Sequence, residues 1–407
     1  MTAHTGERNG PTNRMPRAGP LAGLRVLEFG HVLAGPLCGR RLADFGADVV
    51  KVESASRPDL ARRLGPYPPG REGDLEASGL YLSANAGKRA IALDLQTESG
   101  RAIARLLAAR CDVLLENYRP GVLARLGLGY PELAVENPRL IYASLSGFGA
   151  TGPRAQWGAV NAVLQAVSGL QALTGRAGQP SGLANSWADY IGGLHGLFAI
   201  LAALEQRAST GQGCWLDVSL FEANVASIGA AFYEEPLKGD GPPVPYGCYP
   251  CRGEDRWCAI SVATTAQWEG LLRALGRPEL ATDPRYVTAA ARAQRADDLD
   301  ALVVEWTCNR PVDVAVAHLQ AEGVPAWPVA RIDDLAPPGR VLDGRAFVLQ
   351  NHPGVGPAGI AGTLATFERT PLAPPPPAPR VGEGGVEVLC DWLGWDEPTA
   401  TAALAAC

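Results

Sequence analysis

The chain has 407 residues, 47% of them hydrophobic and 19% charged. This balance excludes a disordered polymer and suits two to three domains of roughly 100–200 residues each. With 36 Lys and Arg against 42 Asp and Glu, the net charge is −6, so no overall basic field draws the chain to nucleic acid or anionic lipid. Nine scattered cysteines without disulfide-framework spacing, and no charged-then-apolar leader, point to a reduced, soluble, cytoplasmic protein. The apolar stretch Leu194–Leu204 falls short of the ~18–20 residues that span a bilayer.

In chain order, 1–20 reads as a polar, disordered tail. A buried strand follows at Leu24–Phe29, then a turn through Gly30–Pro36, a helix over Cys38–Phe45 and a strand at Asp48–Glu53. This βαβ unit implies a parallel sheet covered by helices. The alternation continues with a strand at Arg89–Leu95, a helix at Ser99–Arg110, and strands at Asp112–Glu116 and Arg139–Leu145. Ile191, Leu194, Phe198, Leu201 and Leu204 carry helical spacing over Asp189–Gln206, and Cys214–Val218 reads as a strand. A Pro/Gly-rich linker spans Glu234–Val244. Beyond it, a strand at Trp257–Ala263, helices at Ala266–Leu275, Ala296–Cys308 and Val312–Glu322, and a strand at Val324–Val329 suggest a smaller α+β domain. Pro371–Pro379 is a connector, and the last helix runs over Gly385–Leu393. The expected divisions are 21–225, 226–330 and 331–407.

Familiar motifs fail on inspection. Gly147-Phe148-Gly149-Ala150-Thr151-Gly152 fits G-x-G-x-x-G, but Pro153 and Arg154 interrupt the helix that should follow, so it reads as a tight turn. Cys248 and Cys251 have zinc-ligand spacing but lack a second pair, so no metal is expected. Asp189 is more informative. It sits in the first turn of an apolar helix, where the helix dipole favours its ionised form. It reads either as a cap or as a functional carboxylate. Gly192 and Gly193 would let a ligand approach the backbone. His31 follows the carboxyl end of the first strand, where ligands bind in open α/β sheets. Lys88, Arg89 and Arg125 lie beside predicted strand ends and could meet phosphates.

Together these segments resemble the class III CoA-transferase family, which includes formyl-CoA and carnitine-CoA transferases and α-methylacyl-CoA racemases. The resemblance rests on Leu24–Phe29, Ala34-Gly35-Pro36, Leu42–Glu53, Gly87-Lys88-Arg89 and Leu93-Asp94-Leu95. It continues in Glu116–Gly121, Asn137–Tyr142, Ser146–Gly149, Ala188-Asp189 and Thr210–Gly213. It implies a Rossmann-like α/β large domain completed by the C-terminal tail, a small inserted domain, and an interlocked homodimer. A CoA thioester would be the substrate and no cofactor would be bound permanently. By motif, Asp189 matches the catalytic aspartate, and His31, Val32 and Leu33 match the loop lining the thioester, whose backbone N–H groups could stabilise an oxyanion. Leu93, Asn117, Tyr118 and Arg125 match positions holding the CoA nucleotide, while Asn161 and Gly149 match the active-site lining.

Departures from the family select among its chemistries. Racemases pair the aspartate with a histidine and a later glutamate; here Val160 and Thr264 stand at those positions, and neither exchanges protons. Asn161 replaces a frequent acid, Leu33 a glutamine of formyl-CoA transferases, and Gln96 a common lysine near the adenine. Gly239-Asp240-Gly241 is the nearest candidate for a Gly-rich lid. The expected activity is acyl-CoA:carboxylate CoA transfer through Asp189. Racemisation and acyl-CoA binding without transfer are the alternatives.

Overall fold

The structure is a computed structural model that describes residues 18–175, 179–229, 244–331, 334, 346–363 and 365–407. The first 17 residues of the expected tail, 234–243 of the expected linker and Gly239-Asp240-Gly241 lie outside them. The chain divides into two compact units, one within Met1–Gly229 and Leu342–Cys407 and the other within Ala230–Val341.

In the first unit β1 (Arg25–Phe29), α1 (Ala34–Asp44), β2 (Asp48–Glu53), α2 (Gly79–Asn85) and β3 (Arg89–Ala92) come first. Then follow α3 (Glu98–Ala108), β4 (Val113–Glu116), α4 (Val122–Arg125), α5 (Tyr130–Glu136) and β5 (Ile141–Ser146). α6 (Asn161–Val167), α7 (Leu170–Thr174), α8 (Trp187–Thr210), β6 (Cys214–Ser219) and α9 (Leu220–Ser227) complete the run. The six strands form one sheet in the order β3-β2-β1-β4-β5-β6, with every neighbouring pair parallel. This is the mixed α/β architecture expected of repeated βαβ units. The order reverses between β1 and β4, and the carboxyl ends beside such a reversal are where open sheets bind ligands.

The sheet is buried on both faces, which explains why its central strands read as continuous apolar runs and not as alternation. One face packs Val26, Val113, Ile141 and Leu145 against Leu42 of α1 and Ile200 of α8. The other packs Leu27, Leu114 and Tyr142 against Leu107 of α3 and Leu389 and Trp392 of the C-terminal segment.

The second unit holds β7 (Tyr246–Pro250), β8 (Trp257–Ser261), α10 (Thr265–Leu275), α11 (Ala289–Ala293), α12 (Ala296–Thr307), α13 (Val312–Ala321) and β9 (Ala326–Pro328). Its three strands are antiparallel in the order β7-β8-β9. Thr264 is the N-cap of α10, in a capping box with Gln267. The returning segment contributes the hairpin β10 (Phe347–His352) and β11 (Gly356–Ala361), then α14 (Gly385–Leu393) and α15 (Glu397–Ala405).

Several elements were not legible in the sequence: β7, the β10–β11 hairpin, α5 and α15. Gly247 and Pro250 obscure β7, and both α5 and α15 carry a proline in their first turn. There a missing N–H costs nothing, because helix entry leaves it unpaired anyway. α8 is longer than expected, and by length and composition it could cross a membrane. It is instead the central helix of its layer, with Leu145 and Leu220 seated against its glycines.

Candidate active site

Asp189 stands in the first turn of α8, whose N-cap Ser186 makes no side-chain capping bond. Asn161, at the start of α6, takes over that duty from a distance. Its Oδ1 accepts from the Ala188 N–H at 3.1 Å and from Gln165 Nε2 at 3.0 Å, while its Nδ2 donates to Asn185 O at 3.3 Å. The neutral amide thus anchors the helix start without placing a second negative charge beside Asp189. Asp189 itself is not a cap. Burial pushes its carboxyl up to about 6, which outweighs the helix dipole expected to favour the anion. At neutral pH it is still mostly ionised.

The glycines after Asp189 serve packing and not ligand approach. A Cβ on Gly192 would sit 1.9 Å from Leu220 Cδ2, and one on Gly193 would sit 2.8 Å from Ala34 O. That second approach brings α8, one turn past Asp189, against the first residue of α1. Beneath it, Ala34, Phe148, Leu164, Ala188 and Leu220 form one buried cluster. The loop before α1, the turn after β5 and the head of α8 are therefore fixed to a common base. Gly149 has φ +81°, as a turn requires, and the next residue's N–H donates to Asp217 at 2.9 Å.

The loop from His31 to Leu33 is held tightly. The Asn117 side chain accepts from His31 N–H at 2.7 Å and donates to His31 O at 2.9 Å. Tyr118 OH lies 2.9 Å from His31 Nε2. Val32 has φ 60°, a left-handed conformation that is costly for a β-branched residue. It is pinned there by its N–H, which donates to Asp59 Oδ1 at 2.8 Å. Asp59 is fully buried and paired with Lys51 at 2.8 Å. Burial would raise its carboxyl, but Lys51 prevails and holds it down at about 2. Lys51 also donates to Gly30 O at 2.5 Å. Burial would lower the Lys51 ammonium, yet Asp59 and Glu28 raise it. Burial, the largest effect on His31, lowers its pKa and keeps it neutral.

These contacts revise the expected roles. The N–H groups of His31 and Val32 are already committed, so neither is an oxyanion donor. Leu33, Ala34 and Gly35 are not; among the described residues none of their N–H groups has an acceptor. Leu33 itself is buried, packed beside Leu37 and Ala84. Lys88 is not a phosphate cation either. Its ammonium is buried against Glu28 Oε2 at 2.8 Å and Pro36 O at 2.8 Å, and burial, opposed by Glu28, lowers it to about 8. Arg89 is paired with Asp48 and, at 2.8 Å, with Asp391. Both residues brace the strand ends from within. Arg125, at the end of α4, is exposed.

His31, Leu93 and Tyr118 line a cleft of about 300 Å³ at the carboxyl ends of β1–β4, together with Gln96, Ser54, Ser56 and Arg57. Arg57 and the two serines were missed in the sequence, though their place directly after β2 was a usable signal. Asn117 does not line this cleft; it works as the clamp of the His31 loop. Among the described residues no group of three or more His, Cys, Asp or Glu is placed to hold a metal.

The profile of CoA-transferase family III matches residues 21–384. The chain belongs to CoA-transferase family III. It is 33% identical over 402 residues to a succinate–glutarate CoA-transferase of Agrobacterium fabrum, covering 96% of this chain and 98% of that one. A probable CoA-transferase of Mycobacterium tuberculosis is 32% identical over 390 residues, 92% of this chain, which spans 48% of that protein's length. A crystal structure of a CAIB/BAIF family protein from Brucella suis superposes with a TM-score of 0.82 at 32% identity, covering 92% of this chain and all of that one. The family III chain is thus a transferase of the CoA-transferase class acting on CoA thioesters. Val160 is a 65% exposed N-cap of α6.

Proposed function

We propose that the protein transfers CoA from an acyl-CoA to a carboxylic acid through covalent intermediates on Asp189. The carrying observation is a half-buried carboxylate, free of any ion pair among the described residues, at the head of α8 beside the clamped His31–Leu33 loop. The Asp189 carboxylate attacks the thioester carbonyl and expels CoA thiolate, leaving an acyl-aspartyl anhydride. The thiolate attacks the aspartyl carbonyl, releasing the donor acid and leaving aspartyl-CoA. The acceptor carboxylate attacks that thioester, forming a new anhydride and freeing the thiolate once more. The thiolate then attacks the acceptor's acyl carbon, which yields the new acyl-CoA and regenerates Asp189.

The Leu33, Ala34 and Gly35 amides, at the positive end of α1, supply the oxyanion stabilisation, each such donor contributing about 3–4 kcal/mol. The cleft holding His31, Leu93, Tyr118 and Arg57 receives the CoA nucleotide, with Arg57 and Arg125 as phosphate cations. A dicarboxylic acceptor is supported by the succinate–glutarate transferase from Agrobacterium fabrum. A homodimer is supported by Tyr190, Leu194, Phe198 and Leu201, an exposed apolar stripe along α8.

The test is a panel of acyl-CoAs and carboxylic acids in D₂O, read by mass spectrometry of the CoA products. New acyl-CoA species that disappear in Asp189→Ala are expected. Deuterium gained at the α-carbon without acyl exchange would overturn the assignment in favour of racemisation.

A further inference from the structure

The face of the sheet turned away from α8 carries a second cavity that the transfer chemistry does not use. Parallel register places Glu116 of β4, Ser144 of β5 and Asp217 of β6 in one row. Ser146 lies on the same face of β5, two residues on. Their neighbours Leu115, Ala143 and Leu145 point the other way, into the core shared with α1 and α8, so the sheet itself separates this row from Asp189. Over it lies a cavity of about 200 Å³, lined by Glu116, Ser144 and Ser146, with Leu123 and Ala124 of α4, Tyr130 of α5 and Trp215 of β6 among its walls.

Glu116 Oε2 accepts from Tyr118 N–H at 2.8 Å, and Ser144 bonds Glu116 while accepting from Trp215 Nε1 at 3.1 Å. Asp217 is engaged with Ala150. Ser146 Oγ, in a residue only 4% exposed, has no partner among the described residues. Among the described residues, no lysine or arginine lines the cavity. Burial pushes Glu116 up to about 7, the condition of a carboxyl that lacks a cation. The capacity left over is the acceptor capacity of Glu116 and of Ser146 Oγ beside the single O–H donor of Ser146, under a negative potential and an apolar, aromatic roof.

We propose that this cavity binds a primary ammonium group carried on a short apolar chain, its N–H groups donating to Glu116 and Ser146. Three donors and a positive charge match the unmet acceptors, and aromatic walls add cation–π attraction. The alkyl part packs on Leu123 and Ala124. An anionic ligand is rejected by Glu116. A neutral alcohol leaves the carboxylate uncompensated in a low-dielectric site.

The probe pair is n-butylammonium and n-butanol, titrated calorimetrically into the full-length protein at pH 8. Butylammonium binding at one site per chain is expected, with butanol at least tenfold weaker. Glu116→Gln should weaken butylammonium at least tenfold. Ser146→Lys, which tethers an ammonium inside the cavity, should abolish binding and raise the unfolding midpoint. Absence of butylammonium binding, equal binding of butanol, or binding that survives Ser146→Lys each overturns the proposal. The Lys variant keeps the test decisive if Glu116→Gln folds poorly.

Discussion

Replacing Asp189 by asparagine should stabilise the protein while abolishing its chemistry, and the pH dependence of the gain tests why. The folded chain holds the Asp189 proton up to about pH 6, against 3.8 for an ordinary aspartate. Stability from this tighter proton binding is fully present below pH 3.8 and is lost as the pH rises through 6. At pH 8 the ionised, desolvated carboxylate therefore costs ~3 kcal/mol relative to a group with no such shift. Asparagine has no proton to lose, so Asp189→Asn should gain up to that amount at pH 8. Near pH 5, midway between the two titrations, the gain should fall to about half. In a unit of roughly 300 residues, an unfolding entropy of about 2.1 cal/mol/K per residue makes 1 kcal/mol worth about 1.6 °C in the thermal midpoint. The variant should thus melt roughly 5 °C higher at pH 8, with about half that difference at pH 5. Scanning calorimetry at both pH values, beside the acyl-exchange assay, reads both halves. A gain of the same size at both pH values, or no gain, would refute the account of a carboxylate held against its desolvation cost.

Asp59→Ala leaves Lys51 buried with Glu28 3.5 Å away as its remaining ion pair, and it also frees the strained Val32 N–H. Urea unfolding should show a loss of about 3–5 kcal/mol, whereas Asp59→Asn, which keeps an acceptor for Val32, should lose less. Gly193→Ala would add ~1 kcal/mol in an unconstrained helix. Here it should destabilise and slow transfer, because its Cβ meets Ala34 O; a stabilised, fully active variant would contradict the close approach. Arg57→Ala should raise KM for acyl-CoA by about tenfold with kcat little changed, the signature of lost uniform binding. Lys88→Met, by contrast, should damage folding and not CoA affinity, since Lys88 faces Glu28.

Much of this was written in local patterns. The βαβ alternation is visible because strands buried on both faces become short apolar runs bounded by turns, and β2, read as Asp48–Glu53, matches to the residue. Asp189 stood out because a carboxylate opening an otherwise apolar helix is unusual. The membership in family III was legible from ordered motifs spread over most of the chain.

What no local reading could supply is partnership across long sequence separations. Lys88 and Arg89 look like free cations in the sequence, yet Lys88 meets Glu28 sixty residues earlier and Arg89 meets Asp391 some three hundred later. Asn161 looked like a lost acid, and only folding shows it capping α8 across 27 residues. Gly193 invited a ligand, but the space belongs to Ala34. The sequence alone determined the parallel βαβ framework and the carboxylate at the head of α8, because periodicity and helix entry are local physics. Tertiary structure alone decided which charges are already spent, which amides remain free and which carboxyls lack a cation. Those depend on burial and on neighbours that only the closed sheet brings together.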